Sequence, residues 1–232
     1  MKQVVIRCDH VGLEQDHRMI IEGISLMLTV GITYLTGPNG SGKSAFIRLL
    51  TSVVPPTSGT LVYQEREREH PFGTRSLSVQ EARGMIGYLP QHFTGYSGMS
   101  VKQYIVHQAL QKGMPLRMVK RHIQAWLTQA GLWNVRRMRL GKLSGGQRQR
   151  VGLLQAIIGN PRICLLDEPF EGLDIMEAMV FRHLIQKLAG SCTIVLSTHR
   201  LEWIEPHGND RIVEMEHGKV ISVYDSIDHS LY

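Results

Sequence analysis

The sequence predicts an α/β fold in which a mainly parallel sheet is covered on both faces. Three observations carry that expectation. Short apolar or β-branched runs alternate along the chain with stretches of helical spacing. The runs within 162–167 and 193–197 are almost continuously apolar, as strands buried on both faces read. A third run, Ile32-Thr33-Tyr34-Leu35-Thr36, passes through a glycine-rich turn into Ala45-Phe46-Ile47-Arg48-Leu49-Leu50, giving strand, loop and helix in succession.

The elements follow in order. Residues 3–8 read as a strand, and 20–30 alternates well enough for another. After the strand at 32–36 and the helix at 45–50, Val54-Pro55-Pro56-Thr57-Ser58-Gly59 is a turn cluster, and 59–63 opens a further strand. The charge-alternating run at 65–70 reads as a solvated hairpin or loop without chemistry. Residues 85–89 form a short strand stopped by Pro90. Helical spacing returns at 101–112 and 115–130, where Ile123, Trp126, Leu127 and Ala130 share a face. A helix over 145–158 stops at Gly159-Asn160-Pro161, a strand covers 162–167, a helix 178–188 and a strand 193–197. The largely helical block at 95–145 reads as an insert.

Composition narrows the class. The chain has 232 residues, 43% hydrophobic and 20% charged, enough to bury a sizeable core. No stretch approaches the roughly 18–20 apolar residues that span a bilayer, and the apolar run at the N-terminus is too short for a signal peptide. Cys8, Cys164 and Cys192 are odd in number and lack metal-ligand spacing, so they read as reduced core residues. The net charge is +6, and it is unevenly placed. Thirteen Lys or Arg lie between Glu81 and Asp167 with no acidic residue among them, whereas 167–232 carries twelve acidic and five basic residues. The basic middle is either a solvated face or a surface for lipid headgroups or an acidic partner.

Two motifs carry chemistry. Gly37-Pro38-Asn39-Gly40-Ser41-Gly42-Lys43-Ser44 fits G-x-x-x-x-G-K-[ST]. Its glycines let successive backbone N–H groups curl toward one centre, and the following helix adds the positive end of its dipole. Lys43 can reach β- and γ-phosphates, and the Ser44 hydroxyl can ligate Mg²⁺. With Ala45 these residues form the expected nucleotide cradle. The second motif is Ile163-Cys164-Leu165-Leu166-Asp167-Glu168-Pro169, an apolar strand ending in two carboxylates. Asp167 sits where ligands bind in open α/β sheets and is expected to hold Mg²⁺. Glu168, pointing the other way along a pleated strand, is expected to orient and deprotonate an attacking water.

Leu143-Ser144-Gly145-Gly146-Gln147 then decides the family. Lying between the phosphate loop and the acidic strand, it makes the chain resemble the ATP-binding cassette ATPases over essentially its whole length. The resemblance implies a P-loop NTPase core of about 1–90 and 150–232, with an N-terminal antiparallel β subdomain and a helical subdomain of about 92–149 carrying the signature motif. It implies ATP and Mg²⁺ as cofactors. Gln91, after Gly87-Tyr88-Leu89-Pro90, resembles the glutamine that contacts Mg²⁺ and the attacking water and senses the membrane partner. Asp174, in Gly172-Leu173-Asp174, resembles the loop that crosses the dimer interface. His199 resembles the switch histidine that contacts the γ-phosphate. Ser144, Gly145, Gly146 and Gln147 form a second anion site at a helix N-terminus, which closes over ATP bound to a second cassette in a head-to-tail dimer.

The sequence departs from the family at one place. The aromatic residue that stacks on adenine is missing from 12–18, where Glu14 falls nearest the slot and His17 is a candidate to take its place. One cassette without a membrane segment implies a separate transmembrane permease and a place at the cytoplasmic face of the membrane. The glutamine-loop form and short tail resemble bacterial exporters of drugs, antibiotics or bacteriocins, with an importer subunit as the alternative and a non-transport cassette ATPase acting on nucleic acid or complex assembly ranked behind it. No nucleic-acid partner is expected, because the coiled-coil, zinc and double-cassette features of such relatives are missing.

Overall fold

A computed structural model of the chain describes residues 2–67 and 70–225. Two sheets enclose helix α1 (Lys43–Leu50). The first is antiparallel, in the order β2-β1-β4-β5, from β1 (Lys2–Gln15), β2 (Arg18–Leu28), β4 (Ser58–Glu67) and β5 (His70–Leu77). The second has the order β10-β9-β3-β8-β7-β6, from β3 (Gly31–Thr36), β6 (Ile86–Leu89), β7 (Ile163–Asp167), β8 (Thr193–Ser197), β9 (Arg211–Glu216) and β10 (Lys219–Asp225). Its five strands from β9 to β6 run parallel, and only the edge strand β10 is antiparallel to its neighbour.

Every residue of β3, β7 and β8 is buried, which is why these runs read as continuously apolar. On one face of the sheet, Leu35, Leu165, Val195 and Val213 pack with Phe46 and Leu50 of α1 and with Ile6, Leu13 and Ile21 of the antiparallel sheet. On the other, Tyr34, Leu166 and Leu196 share a cluster with α3 (Val101–Gln111), α4 (Leu116–Gln129), α5 (Gly145–Ile157) and α6 (Ile175–Ala189). The helical block and the parallel sheet therefore share one continuous core.

Three helices open on the same local device. Ser78 of α2 (Val79–Met85), Ser100 of α3 and Ser144 of α5 each accept the third helical N–H, while Glu81, Gln103 and Gln147 reach back to the capping residue. Met85, expected in a strand, ends α2.

The charged run at 65–70 differs from expectation at its first residue. Glu65 is buried, and its carboxylate meets Lys2 Nζ at 3.0 Å and Arg162 Nη1 at 2.6 Å. Those bonds hold its pKa below the usual carboxylate range against the opposing effect of burial. Arg68 and Glu69 lie outside the described residues. Among the described residues, no helix is long and apolar enough to cross a membrane.

Candidate nucleotide site

Parallel register gathers the site. Leu35 pairs with Ser197, and Ser197 with Asp167, so β3, β8 and β7 end level with one another. Everything that follows these strand ends is brought to one rim of the sheet.

The phosphate loop leaves β3 through Gly37, whose φ of 132° suits glycine and where a Cβ would collide with the Met215 carbonyl oxygen. Gly42, φ 102°, caps α1, and a Cβ there would press within 3.0 Å of Ile21 Cδ1. Around Gly40 a Cβ would meet nothing within 4 Å, so the loop is open on that side. The β9–β10 turn braces the loop from behind, Gly218 N–H donating to Ser41 O at 2.9 Å. Lys43 Nζ donates to Gly37 O at 2.7 Å and Pro38 O at 2.9 Å, which curls the loop around the ammonium. Burial lowers the Lys43 pKa, and the nearby charges of Glu168 and Asp167 oppose that shift.

Asp167 is buried at the end of β7, and its Oδ1 accepts from Ser44 Oγ at 3.0 Å and from Ser197 Oγ at 2.6 Å. Among the described residues nothing donates to Oδ2. The neighbouring Glu168 corrects the sequence reading. It lies past the strand, at φ 48°, so a left-handed turn and not the pleat directs its side chain. Its carboxylate is not free either, because Oε1 lies 2.9 Å from His199 Nδ1. Burial raises the Glu168 pKa, the hydrogen bond and charge of His199 and the charge of Lys43 work against this, and the Asp167 charge adds to it.

The donor set fits Mg²⁺, a hard cation that takes few protein oxygens and completes its octahedron with water and phosphate. Ser44 Oγ and Asp167 supply two such oxygens. Among the described residues no group of three or more His, Cys, Asp or Glu is placed for a metal, so an all-protein cage is not what this rim offers.

The structure thus brings together Gly37, Pro38, Asn39, Gly40, Ser41, Gly42, Lys43, Ser44, Ala45, Asp167, Glu168 and His199. Among the described residues, no hydrogen bond ties the other candidates to this group. Gln91 is exposed beyond β6, and among the described residues no hydrogen bond joins it to the loop. Ser144 and Gly145 are exposed at the start of α5, with Gly146 and Gln147 half-buried beside them. Gln147 is used in the helix cap. Asp174 caps α6 by accepting from Glu177 N–H at 2.8 Å. Residues 12–18 are the end of the β1–β2 hairpin, where the exposed His17 ring lies 3.9 Å from Glu14. Sequence reasoning missed Ser197, which donates to Asp167 and accepts the Glu168 N–H at 2.9 Å. It also missed Gln149, whose amide reaches Glu168 O and Pro169 O.

The sequence pattern of the ABC transporter family matches residues 21–171, a span that runs from β2 past the phosphate loop and α5 and through Glu168 to Glu171. The chain belongs to the ABC transporter family. Relatives agree with that placement. The ABC transporter ATP-binding protein YxlF of Bacillus subtilis is 32% identical over 80% of this chain and 59% of its own length. The Nod factor export ATP-binding protein I of Rhizobium sp. (strain N33) is 31% identical over 96% of this chain and 71% of its own. The chain therefore spans well under the full length of these ABC relatives. Among solved structures, the dimeric bacterial ABC transporter cassette MJ0796 superposes with a TM-score of 0.78 at 22% identity, covering 95% of this chain and 98% of that one, which shows the fold.

Proposed function

We propose that this ABC protein is an ATP-hydrolysing subunit that powers a separate membrane permease, in the export direction, from the cytoplasmic face of the membrane. The observation that carries the reading is the meeting of Lys43, Ser44, Asp167, Glu168 and His199 at one sheet rim. The loop N–H groups and Lys43 bind the β- and γ-phosphates, and Ser44 and Asp167 hold Mg²⁺. When bound, Mg²⁺ neutralises charge developing across those phosphates. Glu168 accepts a proton from a water that attacks the γ-phosphorus, the bond to the leaving ADP oxygen breaks, and one water is consumed per phosphate released. His199 holds the Glu168 carboxylate in place, and Gln91 adds to the water site.

The exposed start of α5 supports closure by a second cassette, with Ser144, Gly145 and Gly146 lying over that copy's nucleotide and Asp174 at the interface. A dimeric cassette of this fold is known in MJ0796. The helical block of about 92–149 is then the docking subdomain for the permease. Export is favoured by the glutamine-loop form and by a relative named for Nod factor export. The test is purification of the tagged chain from membranes, with ATP hydrolysis assayed and the attached subunit identified. A bound multi-span permease is expected. An active ATPase that brings down no membrane protein would overturn the transport reading and leave the hydrolytic one.

A further inference from the structure

Gln149 joins the helix that begins at Ser144 to the turn that carries Glu168. It lies on α5, half-buried, and its Nε2 donates to Glu168 O at 3.2 Å and to Pro169 O at 3.0 Å. The Glu168 carbonyl also accepts the Glu171 N–H at 3.2 Å, and the Glu168 N–H donates to Ser197 Oγ at 2.9 Å. Glu168 is a non-glycine residue in the left-handed region, at φ 48°. Such a conformation persists only where its surroundings over-determine it. Here Ser197 of β8 holds the N–H of Glu168 and Gln149 of α5 holds its C=O. Two further contacts tie α5 to the segment after the turn. Gly146 lies close enough to Gly172 that a Cβ would stand 2.9 Å from its carbonyl oxygen, and Arg150 Nη2 meets Glu177 Oε1 at 3.2 Å.

We infer that Gln149 is a positioning residue for Glu168. It touches neither the phosphate loop nor the groups expected to hold Mg²⁺. Its two hydrogen bonds orient the 168–169 peptides, and through them the carboxylate that His199 steadies from the other end. The inference rests on the reading of Glu168 as the general base. Hydrolysis therefore depends on Gln149, while nucleotide binding through Lys43 and the loop does not.

The experiment compares Gln149→Met, of similar length but without an N–H donor, with Gln149→Lys, which restores one. Both are made in the full chain and also in a Glu168→Gln background. For Gln149→Met, kcat should fall about tenfold or more, the scale of losing a positioning hydrogen bond. Affinity for ATP, measured by equilibrium dialysis, should stay within about twofold, because the loop contacts are untouched. Gln149→Lys should recover most of kcat. In the Glu168→Gln background the same changes should have no further effect, since a group acting only through Glu168 has nothing left to act on. Gln149→Glu, which places a carboxylate against two carbonyls, serves as the second variant should Gln149→Met fold poorly, and it should lose at least as much turnover. Unchanged kcat, a parallel loss of ATP affinity, or equal losses in both backgrounds would overturn the inference. A wild-type chain with no ATP hydrolysis would instead overturn the reading on which it rests.

Discussion

His199 Nδ1 lies 2.9 Å from Glu168 Oε1, so the residue after β8 and the carboxylate beyond β7 form one hydrogen-bonded pair. Groups that act as a unit lose activity non-additively when removed. Glu168→Gln should lower turnover by about 10²-fold or more, the scale of a positioned general base, with ATP binding kept. His199→Ala should also reduce turnover, and the double variant should be little worse than Glu168→Gln alone. Steady-state hydrolysis by the four proteins measures this. Multiplying losses would mean two independent roles, and more than half the activity left in Glu168→Gln would move the base to His199.

Lys43 Nζ, the cation proposed to meet phosphate, also holds the Gly37 and Pro38 carbonyls. Lys43→Ala should lower hydrolysis by at least about 10²-fold, as removal of one preorganised donor does elsewhere, and it should loosen the loop. Turnover of the purified complex at saturating ATP checks the first effect, and hydrogen exchange of the loop amides the second. Wild-type turnover would sink the assignment of the phosphate loop.

Much of this rim was legible in the sequence because contiguous residues carry it. The loop 37–44 and the pair Asp167-Glu168 are local patterns, and the parallel strands that bring them together announce themselves as apolar runs. What escaped depends on tertiary context. Ser197 closes a strand like many serines, and only the level ends of β7 and β8 show that it bridges Asp167 and Glu168. The pleat was the wrong guide for Glu168, because strand periodicity says nothing about a turn that begins one residue past the last pair. The hairpin of β9 and β10 was overlooked, although His217-Gly218 sits at its turn, since its mixed polar sequence lacks the continuous apolar signal. Glu65 reads as solvated in the sequence because its partners Lys2 and Arg162 are distant along the chain.

Base selectivity should be weak. The hairpin end at 12–18 offers no aromatic face, and His17 there is fully solvent-exposed. Stacking on a base contributes about 1–3 kcal/mol in nucleic-acid binders and tolerates either purine, so with the phosphates carrying the affinity ATP and GTP should compete with similar apparent affinity. Competition titration of the two nucleotides decides the matter. A preference for ATP above about a hundredfold, roughly 2.7 kcal/mol, would show that another side chain reads adenine.

The basic, acid-free middle divides in two. Val119, Ile123 and Leu127 turn one face of α4 into the core, leaving Arg117, Lys120 and Arg121 exposed, with Lys102 exposed on α3. Basic residues near an anionic leaflet gain about 1 kcal/mol each within a Debye length. Reversing Lys120 and Arg121 to Glu should weaken binding of the purified chain to anionic vesicles and make it more salt-sensitive, while nucleotide binding persists. Flotation with vesicles across a salt series tests this. Unchanged association would make these side chains a solvated face.

Lys112 does not belong to that surface, although it lies in the same basic stretch. Its Nζ is turned inward and donates to the carbonyls of Gln155 at 2.6 Å, Ala156 at 3.1 Å and Ile158 at 3.0 Å, closing the C-terminus of α5. Burial, opposed by the nearby Cys164 and Cys192, brings its pKa from 10.5 to about 8. In the unfolded chain the amine keeps its proton up to the ordinary value, so between about pH 8 and 10.5 the unfolded state binds one proton more than the native state. Stability from this group therefore rises with pH through that window, by up to roughly 1.4 kcal/mol per pH unit. It is fully present above 10.5 and lost as pH falls through about 8. The thiols of Cys8 and Cys164, pushed up to about 12 by burial, pull the other way above pH 9. The informative quantity is thus the difference between wild type and Lys112→Met in urea unfolding at a series of pH values. Wild type should gain on the variant as pH rises from 8 to 10. Parallel curves would mean that the three carbonyl contacts, which favour the charged ammonium, offset its burial and leave its pKa near the ordinary value.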